Sequence, residues 1–385
     1  MHLLSDALLA RIHDRAADYD ASNTFCQADF DELAQAGYFT ALVPTDMGGA
    51  GATLLQLAHA QQQLAAVAPA TALAAMMHQV WVATALTMRA RGETSGEVIL
   101  QTAAAGEIFA FGISEANNDL VLFGSQSQAK PDADGGYRFY GTKIFTTASP
   151  AWTMLGTFAT ETTKDGPKSV YAMVRRSDGG VSVAEDWDTL GMRATQSYTT
   201  HLDGAYAPAE QVLARIDPGP TMAPVVFGIF VNFELLLASV YTGLAQRALD
   251  VAVQTVTERQ SVKNQASYAV DPDIRWRLAS AAIALEGIGP QIDSFARDIM
   301  ELDDAKHGPK WLPRLSALKV RATETAKYVV EEALRSCGGR AFYNTHELSR
   351  LYRDVLAGLF QPSDDESAHA AWANVLLGPI PAPKQ

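Results

Sequence analysis

The sequence predicts an α+β protein with a helical domain, a β domain and a second helical domain in chain order. Residues 1 to about 107 are rich in Ala and Leu at helical spacing. Residues 108–214 contain short runs of β-branched and aromatic residues separated by turn residues, and residues 222–380 return to long periodic helices. Because the helical and strand segments are segregated, without βαβ alternation, the pattern excludes a doubly wound parallel sheet.

The first domain is predicted from runs such as LLQLAHAQQQLAAVAPATALAAMMHQVWVATAL, which begins at Leu54. The chain starts with MHLLSDALLARIHDRAADYD, which carries charges throughout and has no basic stretch followed by an apolar one. This segment therefore predicts an amphipathic helix and not a signal peptide, and we expect a cytoplasmic protein.

The second domain is predicted from strand-like runs such as IFAFGIS (108–114), GGYRFYGTKIFTTA (135–148) and KSVYAMVRRSDGG (168–180). Short strands at this spacing predict a compact β-barrel or sandwich.

The third domain opens with the most apolar stretch of the chain, residues 222–243. Pro224, Asn232 and Glu234 interrupt it before it reaches the ~20 uninterrupted apolar residues of a membrane span. The stretch therefore predicts a buried core helix and no membrane partner.

Charge and cysteine content exclude several function classes. The 43 Asp and Glu outnumber the 30 Lys and Arg, for a net charge of −13, which opposes binding to nucleic acid. The two cysteines, Cys26 and Cys337, are far apart, so neither a disulfide framework nor a cysteine-rich metal site is expected.

Three motifs of other enzyme classes are incomplete. Residues 49–54 lack the third glycine of a dinucleotide-binding loop. Residues 112–116 approach the GxSxG motif of hydrolases, but an Asn-Asn-Asp loop follows them where a helix should begin. His346 and Glu347 stand at a helix junction and indicate capping rather than metal ligation, so no metal site is expected.

Six other segments matter through their order. They are AGYFTALVPTDMGGAGATLLQLA (36–58), AFGISEANN (110–118), YGTKIFTTA (140–148), DTLGMRATQSYTTHLDGAYAPAEQVL (188–213), GLAQRALD with ERQSV (243–262) and SCGGRAFYNTHELSRLYRDVLAGLFQPSDDESAH (336–369). With these segments in this order, the chain resembles the acyl-CoA dehydrogenase family of flavoproteins over essentially its whole length. The resemblance implies an N-terminal helical domain, a middle β-barrel and a C-terminal four-helix bundle, with FAD between barrel and bundle. It also implies a homotetramer or dimer in which a neighbouring subunit completes the site.

The resemblance assigns the flavin ring to two strand ends. Ile113 and Ser114 match the strand end that hydrogen-bonds the pyrimidine edge. Phe145 matches the aromatic residue that covers the isoalloxazine, and Thr147 matches the hydroxyl near N5. Period-two spacing places Phe145 and Thr147 on one strand face, although Phe145 as ordinary β-core is the alternative.

The resemblance assigns the rest of the cofactor to later segments. Arg259 matches an arginine that reaches the FAD pyrophosphate of a neighbouring subunit. Gly338 and Gly339 match a glycine pair beside the ADP portion, with a helix C-cap as the alternative. Ser363 stands where a threonine usually contacts the cofactor.

The catalytic base departs from the family pattern. Dehydrogenation requires a carboxylate that removes the substrate α-proton, and Gln361 occupies its usual position. Some members carry the base on the first long C-terminal helix, at a position matching Phe233, so the neighbouring Glu234 is the candidate base. The alternatives are that Glu234 pairs with a basic residue or contacts water. Residues 364–366, Asp-Asp-Glu, indicate a helix N-terminus.

The loop after Glu115 also departs from the pattern, since Leu120 occupies a position where the family has serine. This change places binding of the CoA pantetheine in doubt and makes a non-CoA substrate credible.

Three hypotheses about function follow. The first is an FAD-dependent acyl-CoA dehydrogenase of fatty acid metabolism that passes electrons to an electron-transfer flavoprotein, with Glu234 as base. The second is an oxygen-using flavin oxidase or monooxygenase on the same fold, acting on a non-CoA substrate. The third is a flavin-binding homologue without turnover.

Overall fold

The computed structural model describes residues 3–380, so residues 1–2 of the predicted first domain lie outside it. N-terminal helices, a central mixed sheet and C-terminal helices follow in the order that the sequence predicts. The helices are α1 (Asp6–Ser22), α2 (Gln27–Gln35), α3 (Leu54–Val67), α4 (Pro69–Ala90), α5 (Glu97–Ala104), α6 (Pro224–Glu258), α7 (Pro272–Glu286), α8 (Gly289–Glu301), α9 (Asp304–His307), α10 (Trp311–Cys337), α11 (Glu347–Val355) and α12 (Asp365–Leu377). The strands are β1 (Phe109–Gly112), β2 (Gln128–Pro131), β3 (Tyr137–Thr146), β4 (Met154–Thr163), β5 (Gly166–Arg175), β6 (Val181–Val183), β7 (Tyr198–Ala207), β8 (Val212–Ile216), β9 (Gln260–Ser261) and β10 (Ala266–Ser267).

Helix α4 packs directly on the sheet and fixes the position of β1. The indole nitrogen of Trp81 donates to the carbonyl of Ala110 at 2.9 Å. Gly156 on β4 leaves room for this ring, because a Cβ there would come within 2.1 Å of it. The buried His78 ring bridges the Phe39 carbonyl at 2.7 Å and the Phe109 amide at 3.2 Å. These contacts hold β1 firmly where the chain enters the candidate site.

The central sheet has the strand order β6-β7-β3-β2-β4-β5-β8, and β1 joins it by parallel pairing with β4. β5 also approaches β7, which is not its hydrogen-bonded neighbour, so the sheet is curved. The domain predicted as a β-barrel is therefore a curved mixed sheet. Its hydrogen-bonded strand order ends at β6 on one side and at β8 on the other. Its inner face buries a separate apolar core that includes Phe139, Trp152 and Leu155.

Helix α6 is the central element of the protein. By length and composition it could cross a membrane, but 89% of its most apolar window is buried against other parts of the protein. It packs most extensively against α10, α3 and α4, and it also contacts α7 and α8. The apolar stretch is therefore a core helix, as predicted, and α6, α7, α8 and α10 form the C-terminal bundle.

Candidate active site

A cavity of about 500 Å³ lies between the sheet, helix α6 and the segment after α11. Its walls come from α4, from the ends of β1 and β3, from the loops 119–123 and 187–197, and from residues 356–363. Five of the predicted cofactor residues line it, namely Ile113, Ser114, Phe145, Thr147 and Ser363, and so do Glu234 and Gln361. The fold therefore brings together residues that are up to 250 positions apart in the sequence.

Ile113 and Ser114 follow β1 directly at the cavity wall. The Ser114 carbonyl accepts a hydrogen bond from the Ile144 amide at 2.9 Å, which ties the end of β1 to β3. Gly112 fits closely beneath, since a Cβ there would come within 2.6 Å of Leu155. The backbone at Ser114 is thereby held at a fixed place in the wall.

Phe145 and Thr147 both line the cavity, but not through regular strand alternation. The pairing of β3 with β7 shifts between Lys143 and Thr146, and Phe145 has a φ of +56°. The left-handed conformation of a bulky residue is strained, and such strain clusters at functional sites. The Phe145 ring is 58% exposed and lies edge-on to Trp187, with centroids 6.1 Å apart, so the ordinary β-core alternative is wrong. The hydroxyls of Thr147 and Ser197 are 2.9 Å apart.

The loop after β1 is anchored by a buried carboxylate. Glu115 accepts hydrogen bonds from Lys143 at 2.6 Å, from Asn118 at 2.9 Å, and from the Ser127 hydroxyl at 2.6 Å. Burial alone would raise the pKa of Glu115, but Lys143 and the surrounding hydroxyls lower this pKa to about 2. Burial lowers the pKa of Lys143 to about 8, although Glu115 opposes the shift. Leu120 in this loop lines the cavity and is 57% exposed.

Gln361 is fixed in the cavity wall by two buried residues. The Tyr241 hydroxyl donates to Gln361 Oε1 at 2.8 Å. Lys319 Nζ donates to the Gln361 carbonyl at 2.6 Å and to the Gly358 carbonyl at 2.8 Å. Sequence reasoning missed both Tyr241 and Lys319, and the only available signal was a polar residue at each of these positions within an apolar helix face.

Glu234 is bound to the same segment. Its Oε1 accepts hydrogen bonds from the Ser363 amide at 2.9 Å and from the Ser363 hydroxyl at 2.7 Å, and Ser316 donates to that hydroxyl at 3.0 Å. Burial raises the pKa of Glu234, and the hydrogen bonds from Ser363 together with the charge of Lys319 oppose this rise. Oε2 is buried and has no hydrogen-bond partner among the described residues. Ser363, expected to contact the cofactor, therefore holds Glu234.

Three predicted cofactor residues lie away from this cavity. Arg259 follows α6, and its guanidinium donates to the Cys337 carbonyl and lies over the Tyr268 ring at 4.9 Å. Gly338 follows α10 with a φ of +71°, and a Cβ built on it would be 4.0 Å from the same guanidinium. Arg259, Gly338 and Gly339 thus form a group of their own outside the cavity lining, and their predicted contact with a neighbouring subunit's cofactor stays a prediction.

The polar residues near the helix ends serve as caps. Asp364 is the N-cap of α12 and accepts from the Ser367 amide at 2.9 Å. His346 is the N-cap of α11 and accepts from the Leu348 amide at 3.2 Å. Among residues 3–380 no group of three His, Cys, Asp or Glu side chains could hold a metal ion.

The residues of the cavity fit a flavin ring. Phe145 offers an exposed aromatic plane on which a flat ring can stack. Ser114 and Thr147 place hydroxyl groups in the adjacent wall, and Leu356 supplies apolar surface. A flat heterocycle with polar edges and an apolar body matches this combination.

Comparison with known proteins agrees with this geometry. Residues 4–107 match the family model described as "Acyl-CoA dehydrogenase, N-terminal domain", and residues 235–360 match "Acyl-CoA dehydrogenase, C-terminal domain". The chain is 30% identical over 370 residues to the amino sugar nitrososynthase RubN8 of Streptomyces rubradiris, covering 93% of this chain and 84% of that protein. It is 28% identical to the putative acyl-CoA dehydrogenase YdbM of Bacillus subtilis, covering 91% and 90% of the two chains.

Among solved structures, the chain is similar to KijD3 in complex with FMN and dTDP-3-amino-2,3,6-trideoxy-4-keto-3-methyl-D-glucose. The TM-score is 0.84 at 27% identity, and the match covers 98% of this chain and 93% of that one. The order of domains, the residues that line the cavity and these matches agree. The chain belongs to the acyl-CoA dehydrogenase family of flavin-dependent oxidoreductases.

Proposed function

We propose that this protein is a flavin-dependent monooxygenase that acts on a small substrate other than a CoA thioester. The observation that carries the proposal is the amide of Gln361, held by Tyr241 at the place where the family's dehydrogenases carry their base. An amide does not accept a proton near neutral pH, so this position cannot remove the α-proton of a thioester. The similarity to a nitrososynthase and to an FMN-bound neighbour supports the same proposal.

Ile113, Ser114, Phe145 and Thr147 would hold the flavin. Once reduced by an external two-electron donor, the flavin would supply the electrons with which dioxygen gives one oxygen atom to the substrate and the other to water. The chain's own contribution is to position this ring and to exclude water. Leu122, Ile229 and Met192 are buried in the wall and give the cavity an apolar lining. The hydrogen bonds of Ser363 to Glu234 and of Lys319 to the Gln361 carbonyl keep residues 358–363 in place as another wall of the cavity.

FAD, rather than FMN, would require further contacts to its ADP portion. Arg259, Gly338 and Gly339 would supply them from a second subunit, because they do not line this chain's own cavity. FMN would require only the cavity residues, and the FMN complex of the structural neighbour supports this smaller cofactor.

A second function, α,β-dehydrogenation of an acyl-CoA, is favoured by Glu234. This carboxyl group lines the cavity, and its Oε2 has no hydrogen-bond partner among the described residues. A catalytic base needs such a free oxygen to accept the substrate proton. In that case electrons would pass to an electron-transfer flavoprotein. The loop at Leu120 and the two hydrogen bonds from Ser363 to Oε1 support the monooxygenase instead.

Two measurements on the flavin-loaded protein decide between these functions. The first is an anaerobic titration with short, branched, long and aromatic acyl-CoAs while the flavin absorbance is followed. The second reduces the flavin chemically and then admits air. We expect no bleaching by any thioester and rapid reoxidation by oxygen without a protein acceptor.

Bleaching that disappears in Glu234→Gln would overturn the monooxygenase and establish a dehydrogenase with a relocated base. Slow reoxidation together with absence of bleaching would indicate a flavin-binding homologue without turnover.

A further inference from the structure

We propose that the substrate is a flat aromatic compound and not a sugar nucleotide. This inference rests on the proposed function for the reaction that the substrate undergoes. Its evidence is the chemistry of the inner cavity wall in this chain.

The inner wall is formed by apolar side chains from three elements. Leu73 and Met77 project from α4, Phe111 from β1, and Ile229 and Phe233 from α6. Leu73, Met77 and Ile229 are at most 5% exposed, so this wall belongs to the core of the protein. A substrate that reaches it must be desolvated on the side that faces it.

Two aromatic rings in this wall stack on each other. Phe111 and Phe233 have centroids 5.3 Å apart with an interplanar angle of 22°. Phe230 lines the same cavity, one position after Ile229 on α6. Aromatic rings and a methionine sulfur attract another flat ring through stacking and edge contacts.

The charged groups that line this wall in the described structure offer a ligand no free cation, although Oε2 of Glu234 has no hydrogen-bond partner there. Arg353 donates to Asp20 and, at 3.1 Å, to the Leu190 carbonyl. Glu234 is bound to Ser363 through Oε1, and Asp119 is exposed. Arg353 is the only cation among the described lining residues, so a diphosphate would find no free positive partner in this wall.

A sugar that carries free hydroxyl groups would also leave those that face Leu73, Met77 and Phe111 without hydrogen-bond partners. A buried hydroxyl without a hydrogen bond opposes binding, whereas an aromatic ring has no such requirement. The wall therefore selects for an apolar ring and against a polyhydroxyl ring.

The test is isothermal titration calorimetry of the flavin-loaded protein with two probes, indole and thymidine diphosphate. We expect indole to bind with a negative heat-capacity change and more tightly than thymidine diphosphate. Phe233→Ser should weaken indole binding about tenfold or more, because it removes a partly buried ring from the contact. Phe230→Ser is a second variant for the same wall in case Phe233→Ser fails to fold. Phe360→Ser is the matched control, since Phe360 lines the mouth and is 82% exposed.

Tighter binding of thymidine diphosphate than of indole would overturn the proposal, and so would unchanged indole binding in both Phe233→Ser and Phe230→Ser. Either result would leave the monooxygenase standing, since reoxidation by air tests that function separately. Conversely, bleaching of the flavin by an acyl-CoA would overturn the monooxygenase. The indole titration would then still test whether the cavity wall binds a flat aromatic ring.

Discussion

Tyr241 and Gln361, 120 positions apart in the sequence, are joined by a hydrogen bond of 2.8 Å from the phenol hydroxyl to the amide oxygen. With Oε1 engaged in this way, the amide nitrogen of Gln361 is left as a donor at the cavity wall. The position of a catalytic carboxylate in the family is thereby converted into a hydrogen-bond donor of fixed orientation.

Tyr241→Phe should lower the free energy of unfolding by about 1 kcal/mol, the net contribution of one hydrogen bond. Flavin affinity should stay unchanged, because Tyr241 is not part of the cavity lining. Urea unfolding and a flavin titration measure the two quantities. An unchanged unfolding free energy would show that the hydroxyl does not stabilise Gln361.

Phe145→Gly and Phe145→Ala separate backbone strain from cofactor binding. Because Phe145 has a φ of +56°, glycine should be more stable at this position than alanine by about 1 kcal/mol. Both variants should bind flavin more weakly, since each removes the exposed ring. Thermal unfolding and flavin titration provide the readouts, and equal stability of the two variants would contradict the strain.

Glu115→Gln should destabilise the protein by about 3–5 kcal/mol, because it leaves the buried Lys143 ammonium without its partner. Limited proteolysis should then cut the loop 116–124. In the wild type, Glu115 accepts hydrogen bonds from Asn118 near the start of this loop and from the Gln126 amide just after its end. The matched control is Asp132→Asn in the more exposed pair with Arg138, for which about 1 kcal/mol or less is expected. Similar losses for both variants would argue against the anchoring role.

Glu234→Gln should change how stability depends on pH. Burial raises the pKa of Glu234 in the folded protein above its ordinary value of 4.5, so the folded state binds more protons than the unfolded state above that pH. This group therefore makes the protein less stable as pH rises from 4.5 toward the folded pKa. The variant should lose that decline, and urea unfolding at a series of pH values compares the two proteins. Parallel curves for variant and wild type would show that the pKa of Glu234 is not raised.

Arg259→Ala distinguishes the two flavins. If the cofactor is FMN, the variant should retain wild-type flavin affinity, because Arg259 lies outside the cavity lining. Chromatography of the flavin released from the purified protein identifies the cofactor directly. Release of FAD, together with weaker binding in Arg259→Ala, would support the predicted contact from a neighbouring subunit.

The sequence by itself determined the order of the three regions, because helical and strand periodicities are local properties of the chain. It also determined the family, since the six segments keep their order, and it placed Ile113, Ser114, Phe145 and Thr147 at one site. Gln361 could be recognised as a departure from the family pattern without any structure.

Only the tertiary structure decided what surrounds those residues. Ser363 binds Glu234 across 129 positions, and Lys319 binds the Gln361 carbonyl across 42. The left-handed backbone at Phe145 arises from a shift in pairing with β7, a strand that begins at Tyr198. Spacing along one segment contains no information about which distant segment folds against it. The partners, burial and pKa values of these groups were therefore settled by packing.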